Sequence, residues 1–151
     1  MVSPCIPHFY HEKTETCIFV EASLSHVRCY FCSFTVACAF TNGNEEAKRE
    51  AFDLARTCFQ TLLESNEMEP CVSTFTNFFL VINRHLKRGA VRDQFAEAVF
   101  IEGCNRGKVD KQVWNNFQKA SPSAADRVSS EHETFPAEWK RNIKSDGFKT
   151  Y

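Results

Sequence analysis

Five basic side chains crowd into the twelve residues from 82 to 93, INRHLKRGAVRD, of a chain whose formal net charge is −1. Cations of this kind can end a helix, because they face the partial negative charge of its unpaired carbonyl groups. A glycine just past the last turn, here Gly89, would supply the left-handed residue that ends many helices. The same cations could instead contact the phosphates of a nucleic acid. We favour the helix-end interpretation and keep phosphate binding as the functional alternative.

Candidates for phosphate contacts are concentrated in the middle of the chain, where residues 71–119 carry eight basic and four acidic side chains. The cations that could form one patch are Arg84, Lys87, Arg88, Arg92, Arg106, Lys108 and Lys111. Non-specific affinity for nucleic acids depends mainly on Lys and Arg contacts to phosphates. A net charge near zero therefore predicts weak binding by the chain on its own.

Two pairs of residues have the spacing of zinc ligands. Cys5 and His8 lie three positions apart, as do Cys29 and Cys32. Four such ligands in two short knuckles would suit tetrahedral zinc. The second pair lies among apolar residues and lacks the glycines that usually bend a knuckle, so we favour buried thiols and predict no cofactor. A small zinc module at the amino terminus remains an alternative.

The eight cysteines and the missing catalytic motifs limit the chemistry further. We expect no secretory signal, because the first residues, MVSPCIPHFYHEK, lack its features. Cys58 and Cys104 fall on apolar helix faces, which favours reduced thiols in an intracellular protein. No run of apolar residues is long enough to predict a membrane span. A nucleophile elbow, a zinc-protease helix and a Gly-rich phosphate loop are all missing from the sequence. The sequence therefore predicts a protein that is not an enzyme.

The elements that position these residues are predicted to be helices. Asn44 can cap a helix that has Glu45 and Glu46 in its first turn, where carboxylates are favourable. Apolar residues then recur at spacings of three and four, which indicates an amphipathic helix that ends before Pro70. Its apolar positions are Phe52, Ala55, Phe59 and Leu62.

Further helices are predicted downstream. One is capped by Ser73 and ends at RHLKRG, and two more run from about Val91 to Asn105 and from about Asp110 to Ala120. Phenylalanines at core spacing are interpreted as core rather than as base-stacking platforms. Residues 1–30 are expected to be irregular. Residues 121–151 are expected to form a polar linker and a tail in which Trp139 docks on the last helix.

Two segments of the chain match when one is shifted by 41 residues. Ser33-Phe34-Thr35 falls on Thr74-Phe75-Thr76, and Ala55-x-x-Cys58-Phe59 falls on Ala96-x-x-Val99-Phe100. A fixed period of this size, in units too small to bury their own apolar faces, is typical of a helical solenoid. Residues 31–120 are thus predicted to be two helical hairpins with a capping helix.

These segments resemble a known family. The stretch STFTNFFLVI, followed by Gly89 and then AEAVFIEG, is similar to the pentatricopeptide repeat, and residues 38–70 resemble a preceding copy with the family's proline at Pro70. The resemblance implies an all-α superhelix, and the chain would be the carboxyl-terminal part of a longer array. It also implies single-stranded RNA as the partner and a mitochondrion or chloroplast as the location.

In that family two side chains of each repeat read one base. Carried onto this sequence, the first reading positions are Thr35 and Thr76, whereas the partner position holds Cys71 in one copy and falls between Asp110 and Gln112 in the other. Because Cys71 departs from the family's Asp or Asn, the reading code is incomplete. The predicted RNA-binding residues are Thr35, Thr76, Arg84, Lys87, Arg88, Arg92 and Lys108. The motifs overlap those of tetratricopeptide repeats, so a protein-protein adaptor is the alternative.

Overall fold

Helices make up all of the regular secondary structure in the residues that the structure, a computed structural model, describes. These are residues 24–132 and 134–143, with side chains from residue 30 onward, and none of them lies in a strand. The helices are α1 (Leu24–Ala39), α2 (Glu45–Glu64), α3 (Val72–His85), α4 (Ala90–Arg106), α5 (Lys111–Ala120) and α6 (Pro122–Glu131), followed by a short 3₁₀ helix at Ala137–Lys140. The all-α class predicted from the sequence is confirmed.

The helices form three consecutive pairs. Helix α1 packs against α3, and α3 packs against α5, so the first helices of the pairs lie side by side. Helices α2 and α4 each contact the first helix of their own pair and of the next pair, and α6 contacts α4 and α5. The contacts of α1 with α3 and of α3 with α5 join residues more than 30 positions apart in the sequence, such as Cys32 with Asn77 and Asn83 with Asn116.

Phenylalanine rings fill the space between the pairs. Phe59 of α2 stacks on Phe78 of α3 with ring centroids 4.2 Å apart, and Phe100 of α4 stacks on Phe117 of α5 at the same distance. All four rings are buried, and burial of each contributes about 1.5–3 kcal/mol. The phenylalanines that lie three and four residues apart in the sequence therefore form the core between consecutive helix pairs.

Two helix starts differ from the predictions. Helix α1 begins at Leu24, so residues 24–30, expected to be irregular, are helical. Helix α3 is capped by Cys71 rather than by Ser73. The Thr74 hydroxyl accepts a hydrogen bond from the Cys71 backbone N–H at 3.2 Å, which moves the cap two residues upstream. A threonine at the third helical position therefore decided where this helix starts.

The role predicted for Gly89 is wrong. Helix α3 ends at His85 with Leu86 as its cap, and Gly89 is instead the residue that precedes α4. Its φ of 148° lies in a region that favours glycine. The basic run therefore spans the end of one helix, a short turn and the start of the next helix.

Residues 122–131, expected to be a linker, form helix α6. The Ser121 hydroxyl accepts a hydrogen bond from the Ala124 backbone N–H at 3.3 Å, and Pro122 occupies the first helical position. Serine as cap followed by proline is a recognised start signal, and the polar composition of the segment obscured it. The small residues Ala124 and Ala125 are buried against the neighbouring helices.

The segment after α6 folds back on the end of α4. Three carbonyl groups at that end, of Asn105, Arg106 and Gly107, accept hydrogen bonds from Arg141 and Asn142. Trp139 is buried against Phe100 of α4, with ring centroids 5.4 Å apart. Trp139 thus docks on α4 rather than on the last predicted helix, α5, and the segment supplies partners for carbonyls that a helix end leaves unpaired.

Gly107 ends α4 in the left-handed conformation with φ of 67°. A Cβ atom there would lie 2.6 Å from Arg141 Cγ and 3.1 Å from the Glu138 carbonyl oxygen. We expect Gly107→Ala to lower the free energy of unfolding by about 1–2 kcal/mol or more, measured by urea denaturation. Gly89→Ala is the matched control, since Gly89 also has positive φ but open space around it. Equal losses in the two variants would contradict the role of these contacts.

Candidate nucleic-acid interface

The two predicted base-reading hydroxyls lie inside the protein. Thr35 is 7% exposed, and its hydroxyl donates to the Phe31 carbonyl at 2.8 Å. Thr76 is 5% exposed, and its hydroxyl is buried without a hydrogen-bond partner. Of the partner positions, Asp110 caps α5 by accepting from the Val113 N–H at 2.8 Å. In this conformation these side chains therefore cannot form the pairs that would contact base edges.

Arg92 is also inside, at 6% exposed, near the start of α4. Its guanidinium donates to the carbonyls of Ala120 (2.9 Å) and Lys119 (3.0 Å) at the end of α5. It also donates to the Leu86 carbonyl (3.2 Å) and to the Asn83 side-chain oxygen at the end of α3. Burial lowers the pKa of Arg92, and the partial negative charge of two helix ends stabilises the cation. Arg92 thus joins three helices rather than facing a ligand.

Lys108 and Arg106, at the other end of α4, also bind carbonyl and carboxylate groups of the protein itself. Lys108 is 7% exposed, and its ammonium donates to the Asn142 carbonyl at 2.9 Å and pairs with Glu69 at 3.5 Å. Arg106 donates to the Leu63 carbonyl at 2.9 Å and pairs with Glu102. Both cations therefore bind groups of the protein itself. The predictions that Lys108 binds RNA and that Arg106 contacts phosphates are corrected.

The cations of the predicted patch that remain exposed include Arg84, Lys87 and Arg88, which lie at the end of α3 and in the following turn, and Lys111, which begins α5. Lys87 pairs with Glu45 at 3.8 Å, and both side chains are largely exposed, so this ion pair binds Lys87 only weakly. The Arg84 guanidinium lies 4.2 Å from the centre of the Phe40 ring, just past the end of α1. A cation over an aromatic face is a favourable contact.

Helix α1 presents an exposed aromatic face that the sequence reasoning missed. Tyr30, Phe34 and Phe40 are 72%, 37% and 52% exposed, and Ser33 and Ala37 between them are exposed as well. At 100° per residue the helical positions 30, 33, 34 and 37 fall within about 100° of the helix circumference, and Phe40 follows one residue after the helix. Phenylalanines at helical spacing were predicted to be core, so none of them was assigned to the surface. The signal was present in α1, where aromatic and small residues alternate on one face. We name Tyr30, Phe34, Phe40, Arg84, Lys87 and Arg88 the α1–α3 surface.

The proposed zinc ligands are only partly within the described chain. Cys5 and His8 lie outside the described residues, and so does the side chain of Cys29. Cys29 and Cys32 lie one turn apart on α1. Among the residues that are described, no cluster of three or more His, Cys, Asp or Glu side chains is placed to hold a metal ion.

Two cavities open on other faces. One of about 420 Å³ lies between α5, α6 and the following segment, lined by Trp114, Val128, Ser129, His132, Thr134 and Phe135. The other, of about 270 Å³, is a groove between α2 and α4 with an apolar floor that includes Phe59, Leu63, Phe95 and Val99, and with Arg56 and Glu102 in its walls. Their linings suit apolar groups, and neither cavity contains a residue of the predicted RNA-binding set.

Comparison with known proteins found no matching protein family, curated protein or solved structure. Within the described ranges, no helix combines the length and the apolar character that crossing a bilayer requires.

Proposed function

We propose that this chain is a non-catalytic helical-repeat scaffold, similar to pentatricopeptide-repeat proteins, that binds single-stranded RNA on its α1–α3 surface. The contact that carries the proposal is the Arg84 guanidinium over the exposed Phe40 ring. In this proposal bases stack on exposed aromatic rings while nearby cations contact phosphates. Neither contact reads base edges, so the buried Thr35 and Thr76 are not required.

The physical case depends on aromatic rings and cations occurring together. Base-aromatic stacking contributes about 1–3 kcal/mol per base and tolerates any sequence. Tyr30 and Phe34 lie on the exposed face of α1, and Lys87 and Arg88 lie in the turn after Arg84. Stacking and phosphate contacts from these five side chains would give weak binding with little sequence preference, consistent with the near-neutral net charge.

The repeat architecture is part of the same proposal. The side-by-side packing of α1, α3 and α5, each followed by a second helix, supports three stacked hairpins of a solenoid. In this view α5 and α6 form the last hairpin, and the Trp139 segment covers its neighbour α4. By the same resemblance we place the protein in a mitochondrion or chloroplast.

The charge test uses fluorescence anisotropy with a labelled single-stranded polyuridine RNA at low salt. We expect the triple variant Arg84→Glu, Lys87→Glu, Arg88→Glu to raise Kd at least about tenfold, because three phosphate contacts become repulsive. The matched control is Arg49→Glu, Arg127→Glu, Lys140→Glu, which changes net charge equally at exposed positions outside the predicted patch. Equal loss in both triple variants would indicate a net-charge effect and contradict a localised site.

A second pair of variants tests stacking. Tyr30→Ser with Phe34→Ser should weaken binding without changing its salt dependence, because no phosphate contact is lost. Leu54→Ser with Ile101→Ser removes exposed apolar side chains from other helices as a control. If neither the charges nor the aromatics affect RNA binding, the RNA proposal fails. A protein that still binds the chain after nuclease digestion would then favour the adaptor role.

A further inference from the structure

Cys32 and Cys71 meet where α1 packs against the start of α3. The two cysteine side chains share a hydrogen bond, and the Asn77 amide donates to the Cys32 carbonyl at 3.4 Å, which fixes α1 against α3 at this level. Both cysteines are partly exposed. Thirty-eight residues, including all of α2, separate them in the sequence, so only the packing of α1 on α3 brings the thiols together.

The position of Cys71 favours its thiolate. Cys71 is the cap residue of α3, where its side chain and the Thr74 backbone N–H form part of a capping box, and its sulfur lies 3.5 Å from the Thr74 hydroxyl oxygen. The contact with Cys32 lowers the pKa of Cys71 most, partial burial opposes it, and the Thr74 hydroxyl followed by the backbone N–H groups of Thr74 and Ser73 lowers the pKa further. A helix N-terminus also stabilises an anion.

The environments of the three described cysteines other than Cys32 and Cys71 favour the protonated thiol. Burial raises the pKa of Cys38, Cys58 and Cys104, in the last case to about 12. Thiols of this kind stay protonated and react slowly. A selective oxidant would therefore distinguish Cys71 from these three cysteines.

We propose that Cys71 and Cys32 form a peroxide-sensitive thiol pair, in which Cys71 is the attacking residue and Cys32 resolves the product to a disulfide. This proposal is independent of RNA binding. It assigns a modification site to the chain, with a hydroperoxide as the class of oxidant, and its product is a covalent link between α1 and the start of α3.

One molecule of hydrogen peroxide oxidises the two thiols to a disulfide. The Cys71 thiolate attacks a peroxide oxygen, the O–O bond breaks, and the leaving hydroxide becomes water with the proton that Cys71 released. The Cys32 sulfur then attacks the Cys71 sulfenic acid, the S–S bond forms, the S–O bond breaks, and a second water leaves with the Cys32 proton. Two thiols lose two electrons, and hydrogen peroxide is reduced to two waters.

The test treats the reduced full-length chain with hydrogen peroxide, blocks remaining thiols with N-ethylmaleimide and maps disulfides by mass spectrometry. We expect the Cys32–Cys71 disulfide to form first. Cys71→Ser should slow oxidation at least tenfold, and serine preserves the helix cap, so folding is retained. Cys32→Ser should accumulate a Cys71 sulfenic acid that dimedone traps. Cys58→Ser is the matched control and should oxidise like the parent chain.

A second readout does not require disulfide formation. The rate at which iodoacetamide alkylates Cys71 should reach half its maximum well below pH 8.5, where an ordinary thiol ionises. In Cys32→Ala this midpoint should move upward, because alanine removes the hydrogen-bond donor that lowers the Cys71 pKa most. A first disulfide between other cysteines, or Cys71→Ser oxidising as fast as the parent chain, would overturn the proposal.

Discussion

Replacing Arg92 with methionine should lower the free energy of unfolding by about 3 kcal/mol, because hydrogen bonds from a charged donor contribute more than neutral ones and buried carbonyls would lose their partners. The guanidinium ties the end of α3 to the end of α5 through the carbonyls of Leu86, Lys119 and Ala120. Methionine fills much of the same volume but donates no hydrogen bond. Urea denaturation followed by circular dichroism measures the change.

Two variants separate the hydrogen bonds from charge and volume. Arg92→Lys keeps the charge but cannot span carbonyls on two helices, so we expect it to lose more than half of the effect. Arg88→Met removes a neighbouring exposed cation and should change stability by less than about 0.5 kcal/mol. If Arg92→Met and Arg88→Met were equally stable, the bridging role of Arg92 would be refuted.

The second large effect is expected at Trp139. Trp139→Ala should cost about 3–4 kcal/mol, as truncation of a buried large aromatic side chain usually does. The indole is 9% exposed and contacts Phe100, Phe135 and His132, with ring centroids 5.0–5.6 Å apart. Its loss would also loosen the backbone hydrogen bond from Val109 N–H to the Trp139 carbonyl, 2.8 Å long. Thermal denaturation and tryptophan fluorescence give the readout.

The controls for Trp139 lie in the same segment. Trp139→Phe keeps an aromatic ring against Phe100 and should lose about half as much stability. Lys140→Ala alters the adjacent exposed residue and should be nearly neutral. Should Trp139→Ala unfold at the same temperature as the parent chain, the segment after α6 would not be part of the folded core.

Local sequence signals predicted much of the fold. Asn44 accepts a hydrogen bond from the Ala47 N–H at 2.9 Å, as its position before Glu45 indicated, and the phenylalanines spaced by three and four residues fill the core. Helix α6 was missed because its polar composition outweighed the Ser121 and Pro122 start signals. Gly89 was misassigned because one glycine can end a helix or precede the next, and only the chain path distinguishes these roles.

The candidate site was less predictable. In the sequence Arg92 and Lys108 look like surface cations, yet both side chains are buried. Arg92 donates to the carbonyl of Ala120, 28 positions away, and Lys108 donates to the carbonyl of Asn142, 34 positions away. One hint existed for Arg92, since a cation near a helix N-terminus is unfavourable for that helix and must be stabilised by other groups.

By itself, the sequence determined the helical class, most helix positions and the phenylalanine core, because caps and apolar periodicity act over a few residues. The tertiary structure decided which cations stay exposed, that an aromatic face of α1 lies beside Arg84, and that Cys32 meets Cys71. These features depend on distances between residues far apart in the chain. Such distances are set when the helix pairs pack, since burial of the phenylalanine rings fixes how α1, α3 and α5 lie against each other.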